Sequence, residues 1–322
     1  MGSHMLCMGA HRLAGGLPGP AFARGLAVDT DSWGTRVNRR AFAQSMAGVI
    51  GAVAGFPAIV PAFEPDVLVL GVMRPLENDS FARGVAFGAM EAAQTAKLVR
   101  KSITTVEPQA GPSSRNADRV AALVKKSAQV VIGHGDDAHV REIARACDTH
   151  RIVFFNCGSR SDNLRRALCA RTTFHIDGSA AMYAGAARQS PAGSKIVLWD
   201  SRLEKYGAAQ LNDRFTEFAH RPMDGSAWAG WVAVKIAWES FLRAPNSMVS
   251  WLTSDAAQFD GHKGSPLSFR RWDGQLRQPL YAVAARVTDV PDVARSTRPI
   301  REVLDTIGDP PGIQSCRIVP RS

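Results

Sequence analysis

From Asp66 onward the chain switches repeatedly between short apolar runs and longer stretches of helical period. Asp66-Val67-Leu68-Val69-Leu70-Gly71-Val72 has the nearly unbroken apolar pattern of a buried strand. Residues 79–97 then place Phe81, Val85, Gly88-Ala89 and Ala92-Ala93 at helical spacing. The same two patterns recur, with strands expected at 102–106, 129–133, 151–156 and 172–176 and helices at 116–127 and 136–149. Strict alternation of strand and helix predicts βαβ units wound into a parallel sheet, an α/β lobe over residues 63–188. In such sheets ligands sit outside the carboxyl ends of the strands. That singles out the loops 73–78, 108–114, 134–137 and 156–163.

After His175 the pattern changes. A short helix is expected over 179–188, one strand over 195–199, and two helices over 206–219 and 225–243. Beyond residue 247 the chain is mixed, with a hairpin around Trp272-Asp273-Gly274; residues 290–322 are Pro-rich and have no clear period.

The upstream segment is of another kind. Met1-Gly2-Ser3-His4-Met5 reads as an expression-vector remnant, and residues 6–36, rich in Gly, Ala, Pro and Arg, carry no hydrophobic period. Arg39-Arg40 precede an apolar run, Met46 to Val60, that is interrupted by Gly48, Gly51, Gly55 and Pro57. A membrane span needs ~20 apolar residues. A basic start, a modest apolar stretch and a small-residue end describe an export signal instead, and the arginine pair matches the twin-arginine variant. Residues 1–62 are therefore read as remnant, extended n-region and signal (37–62), with a periplasmic protein beginning near Phe63.

Composition narrows the class without naming it. Hydrophobic residues make up 45% and charged residues 21%, enough for an ordinary globular core. The net charge of +10 points to an anionic partner, yet the charge is spread widely after the signal, in pairs such as Lys125-Lys126 and Arg270-Arg271 rather than in a longer basic block. No nucleic-acid motif has the required spacing, so a small anionic solute is the expected partner. Catalysis finds no support: there is no G-x-S-x-G elbow, H-E-x-x-H or P-loop, so the chain is read as a non-enzyme needing no cofactor. His134 with Asp136, Asp137 and His139 fits no ligand spacing; no metal site is expected, and the two aspartates more simply cap the next helix.

"GSAWAGWVAVKIAWESFLR", "FDGHKGSPLSFRRWDGQLRQPLYAV", "LDTIGD", "SCR" and "FFNCGSRSDNLRRALCARTTFHI" together resemble a known family. It is the type I periplasmic solute-binding proteins of ABC transporters, in the branch found with periplasmic alcohol dehydrogenases dependent on pyrroloquinoline quinone (PQQ). The resemblance covers residues 66–188 and 195–320, and "KGSPLSFRRWDGQLRQP" is its most specific block. It implies reversible capture of a solute between two lobes, PQQ or a related solute of alcohol oxidation, and an ABC permease or periplasmic dehydrogenase as partner. The chain departs from the family where a second parallel sheet belongs, since six residues separate Arg188 from Lys195. Residues 189–322 are then a reduced second lobe with returning helices and a tail. The site is completed by a homodimer, or the solute is PQQ held in one lobe, or another solute such as an amino acid or hydrophobic molecule, or the chain is an interaction module without a pocket.

A planar quinone with three carboxylates needs an aromatic face and cationic or N–H donors. Trp228 and Trp231 share a face near a helix start, with Lys235 one turn on. Their alternative place is the core. Arg74 and Arg160 follow strand ends and are the preferred carboxylate partners, since the guanidinium fork pairs both oxygens. Asn156, Ser159 and His134 complete the expected ligand set, with Asn78 and Ser226 nearby in the loops. Among the cysteines, Cys147 and Cys157 fall at opposite ends of one strand, too far apart to bridge, whereas Cys169 returns to the edge of Cys147, so geometry permits Cys147–Cys169. The resemblance instead implies Cys169–Cys316.

Overall fold

The apolar runs become adjacent strands because each is flanked by an amphipathic helix whose stripe must be buried against a sheet. The computed structural model describes residues 65–73, 79–108, 115–284 and 298–300, which belong to one compact unit, Ala62–Ser322. The export-signal segment, Arg74, Asn78 and Cys316 lie outside the described residues. Strands β1 (Val67–Met73), β2 (Ser102–Val106), β3 (Val130–Gly133), β4 (Val153–Asn156) and β5 (Thr173–His175) form the expected parallel sheet, in the order β2-β1-β3-β4-β5. The register runs Val67 to Ser102, Leu70 to Val130, Val130 to Val153 and Phe154 to Thr173.

Two apolar layers cover this sheet. Helices α1 (Asp79–Leu98) and α6 (Gly225–Arg243) share one cluster with Leu68, Leu70, Ile132 and Phe155. Helices α2 (Asn116–Lys125) and α3 (Asp137–His150) pack with Val131 and Phe154 on the other face. Both sheet faces are buried, which is why the strands read as continuous apolar runs rather than alternating ones. Asp136 caps α3 as expected, accepting from the His139 amide at 2.8 Å.

α1 and α6 run parallel and close. A Cβ on Gly84 would meet the Ala227 carbonyl oxygen at 2.0 Å, and one on Gly230 would meet the Phe81 oxygen at 2.7 Å. Only glycine lets these two backbones approach so far.

The remainder builds a smaller module. Helix α4 (Ala180–Arg188) leads into β6 (Ser194–Val197), and a 3₁₀ turn at 205–207 leads into α5 (Ala208–Ala219). A short helix α7 (Met248–Leu252) follows α6; its five residues are too few for a periodicity to show. The expected hairpin is present as β7 (Ser268–Phe269) and β8 (Leu276–Arg277). Strand β6 does not join the parallel sheet. It pairs antiparallel with β9 (Leu280–Ala284), which pairs antiparallel with β10 (Arg298–Ile300).

Candidate functional site

The parallel sheet ends in a cleft, at the place such topology demands. A cavity of about 730 Å³ is lined by His134 after β3, Cys157, Gly158 and Arg160 after β4, and Asp177 after β5. Its opposite wall is the segment 195–201 leaving β6, and its rim is Ser80 with the start of α6.

Asn156 shapes the loop after β4 from within. Its Nδ2 donates to the Ser159 carbonyl at 2.8 Å and meets His175 Nδ1 at 2.9 Å, and its Oδ1 accepts from the Gly158 and Ser159 amides. Both side chains are buried, so Asn156 and Ser159 build the cleft rather than line it. His175 Nδ1 must accept here, which puts its proton on Nε2. Burial, then the charge of Arg165, holds His175 well below its ordinary value, and it stays neutral. Ser159 Oγ donates to Asp137, tying this loop to the first turn of α3.

Asp177 is the hub of the floor. It accepts from Arg160 Nε at 2.8 Å, Tyr183 Oη at 2.7 Å and the Gly178 amide at 2.7 Å. The Arg160 guanidinium lies 3.7 Å from the Tyr183 ring centroid, fixed between a carboxylate and an aromatic face. Held in this way, Arg160 lines the cavity. At the rim, Asp224 accepts from Ser80 Oγ at 2.6 Å and from the Ala227 amide at 2.9 Å, capping α6. The cap satisfies the Ala227 amide and leaves those of Gly225 and Ser226 at the cleft. His134 is pushed below its ordinary value chiefly by burial, against the opposing charges of Asp177 and Asp224.

The tryptophans sit elsewhere. Trp228 is fully buried, stacks on Trp199 at 5.8 Å, and carries the Lys263 ammonium 4.0 Å from its ring centroid. Its Nε1 donates to the Gly261 carbonyl at 3.2 Å. With both faces covered it offers no platform to a ligand ring, which corrects that expectation. Trp231 is also buried, stacks on His262, and donates to Glu91 at 2.7 Å. Lys235 pairs with Glu239 beside a separate groove between α1 and α6. An almost continuously apolar α6 is buried all round, so shared spacing did not place these residues at the cleft.

Residues missed by sequence reasoning carry much of the site. Asp177 and Ser179 flank a strand end as Asp-Gly-Ser, a helix-start signal that also marks a loop at the ligand-facing edge. Asp224 carries the same Asp-Gly-Ser signal before α6, whereas Tyr183 and Lys263 had none. Cys147 and Cys157 are free and buried, which excludes the Cys147–Cys169 pairing; Cys169 is disulfide-bonded. Burial pushes the Cys157 thiol well up, away from the thiolate form. No group of three or more metal-ligating side chains occurs among the described residues.

No protein-family model and no curated protein matches the sequence. Solved structures do. The Leu-, Ile-, Val-, Thr- and Ala-binding protein of Brucella ovis, in its closed conformation, aligns at a TM-score of 0.63 with 12% identity, over 81% of this chain and 100% of that one. A periplasmic binding protein of Burkholderia mallei aligns at 0.60 with 11% identity, over 79% and 100%. An ABC-transporter solute-binding protein of R. palustris, in complex with benzoate, aligns at 0.57 with 12% identity, over 78% and 99%. The likeness is one of fold: the parallel sheet with its flanking helices is the lobe architecture of type I periplasmic solute-binding proteins.

Proposed function

We propose that this chain is a solute-binding protein of an ABC import system, and that its cleft takes a small solute bearing a carboxylate beside an ammonium, an amino acid. The observation carrying this reading is the pairing of opposite charges in one cleft. Arg160, held by Asp177 and Tyr183, presents guanidinium donors, and Asp224 presents a carboxylate at the rim. The first amides of α6 add donors suited to an anion. This balance favours a zwitterion over the three carboxylates of PQQ. The core position of Trp228 and Trp231 removes the stacking platform that PQQ called for. Neighbours named for branched-chain amino acids support the same class.

The test is calorimetric titration of the purified chain with L-amino acids, benzoate and PQQ. Saturable heat with an amino acid is expected, weakened roughly tenfold or more by Arg160→Ala through loss of a charge-assisted pair. Saturable heat with PQQ alone would restore the quinone reading. Silence toward every solute would leave an interaction module.

A further inference from the structure

The cleft occupies one end of the parallel sheet, and the opposite end has a different chemistry. Helices α1, α2 and α3 each return from the carboxyl end of one strand to the amino end of the next, so their C-termini gather at the sheet's amino end. α6 joins them because it runs parallel to α1, with Gly84 against Ala227, Gly88 against Trp231, and Thr95 accepting from Trp238 Nε1 at 3.1 Å. Of the seven large hydrophobic side chains exposed among the described residues, four sit at this end: Leu98 at 85%, Val99 at 49%, Val67 at 42% and Leu242 at 38%. Lys97, Arg100 and Arg243 flank them, all exposed, with Lys125, Lys126 and Arg151 further along the same end. Lys101 draws three elements together here, donating to the Pro65 carbonyl at 3.1 Å and lying 5.4 Å from the ring centroid of Phe241.

We infer that this end, centred on Leu98, Val99 and Leu242 and ringed by Lys97, Arg100 and Arg243, is a docking face for an anionic lipid bilayer. The helix macrodipole accounts for Lys97, Lys125 and Arg243, each in a last turn. It gives no reason for an almost wholly exposed leucine beside an exposed valine. Apolar side chains surrounded by cations form the footprint that enters a headgroup layer, with the cations over anionic lipid. Docked this way, the protein turns its cleft away from the bilayer.

Flotation of the full chain with vesicles tests this inference. Binding is expected to equimolar phosphatidylcholine and phosphatidylglycerol, to fall with added salt, and to be weak on phosphatidylcholine alone. Leu98→Glu and the triple variant Lys97→Glu, Arg100→Glu, Arg243→Glu should each weaken it by at least about tenfold. These side chains are exposed, so circular dichroism and solute titration should match the parent chain. The variants carry the same upstream apolar run, so equal flotation of parent and variants overturns the inference, as does absence of flotation or equal binding to phosphatidylcholine. An acidic protein as the true partner would give the second of these results. Solute binding is scored separately at the opposite end, so failure of one reading leaves the other intact.

Discussion

The parallel sheet and the small antiparallel module are stabilised by different means. Inside the sheet, Leu68, Leu70, Val131, Ile132, Phe154 and Phe155 are fully buried and apolar on both faces. There the structure is a matter of filled volume. In the module buried charged and amide groups sit among apolar ones such as Leu198, Phe269 and Leu276. Lys263 gives its three protons to the Leu198 carbonyl, Gln278 Oε1 and the Pro279 carbonyl, at 2.7, 2.9 and 3.1 Å. Where the module meets the sheet, Arg165 in the turn after β4 donates to Gln275 Oε1 at 2.6 Å and to the Asp177 carbonyl at 2.9 Å, and Gln275 Nε2 donates to that same carbonyl. Arg270 and Asp273 form an ion pair that is almost completely buried. The sheet tolerates changes that keep volume, whereas the module tolerates only those that keep every donor and acceptor matched.

The largest effect should come from Phe155→Ala. Phe155 packs with Phe174 and Phe269 at centroid distances of 6.1 and 6.0 Å, and truncation should cost about 3–5 kcal/mol in chemical denaturation. A loss below about 1 kcal/mol would mean that filled volume is not what holds the sheet.

Lys263→Met is the complementary test, since it keeps length and apolar stem while stranding three oxygen acceptors. A loss of about 2 kcal/mol is expected at neutral pH, less than the sum of the stranded groups because a buried charge is also removed. The pH dependence gives a second readout. Burial holds the Lys263 ammonium well below its ordinary value, opposed by the charge of Asp177. Between that lowered value and ~10.4, where the unfolded lysine titrates, the unfolded chain binds more protons than the folded one, so stability rises with pH. The parent chain should show this alkaline gain relative to Lys263→Met. Equal stability of the two proteins at all pH values would place the module with the sheet, held by packing alone.

The smallest expected effect is Ser80→Ala. The Ser80–Asp224 bond joins α1 to the cap of α6 in an exposed position, and its loss should cost about 0.5 kcal/mol. A much larger drop in melting temperature would show that the cleft rim, not either core, limits stability.

The sheet was legible because its signal is local. Val67–Met73 and Val130–Gly133 announce buried strands by their own composition, and α1 announces its face through Phe81, Val85 and Ala92. Topology then placed His134 and Arg160 at the ligand-facing edge with no further information. The module was less legible. The partner of β6 lies beyond two long helices, and a four-residue strand carries no mark of whether its neighbour will run parallel or antiparallel.

Sequence alone therefore determined the alternation of strands and helices, the edge at which a ligand site must open, and the Asp136 cap. Tertiary structure decided which side chains are spent in the core and which are free to bind. Trp228 reads the same on a helical wheel whether it faces a ligand or Trp199, and Lys263 reads as a surface lysine until Leu198, Gln278 and Pro279 converge on it. Periodicity fixes the direction of a side chain from its own element, but its burial and partners depend on distant segments, 140 residues apart for Trp231 and Glu91, and only folding brings them together.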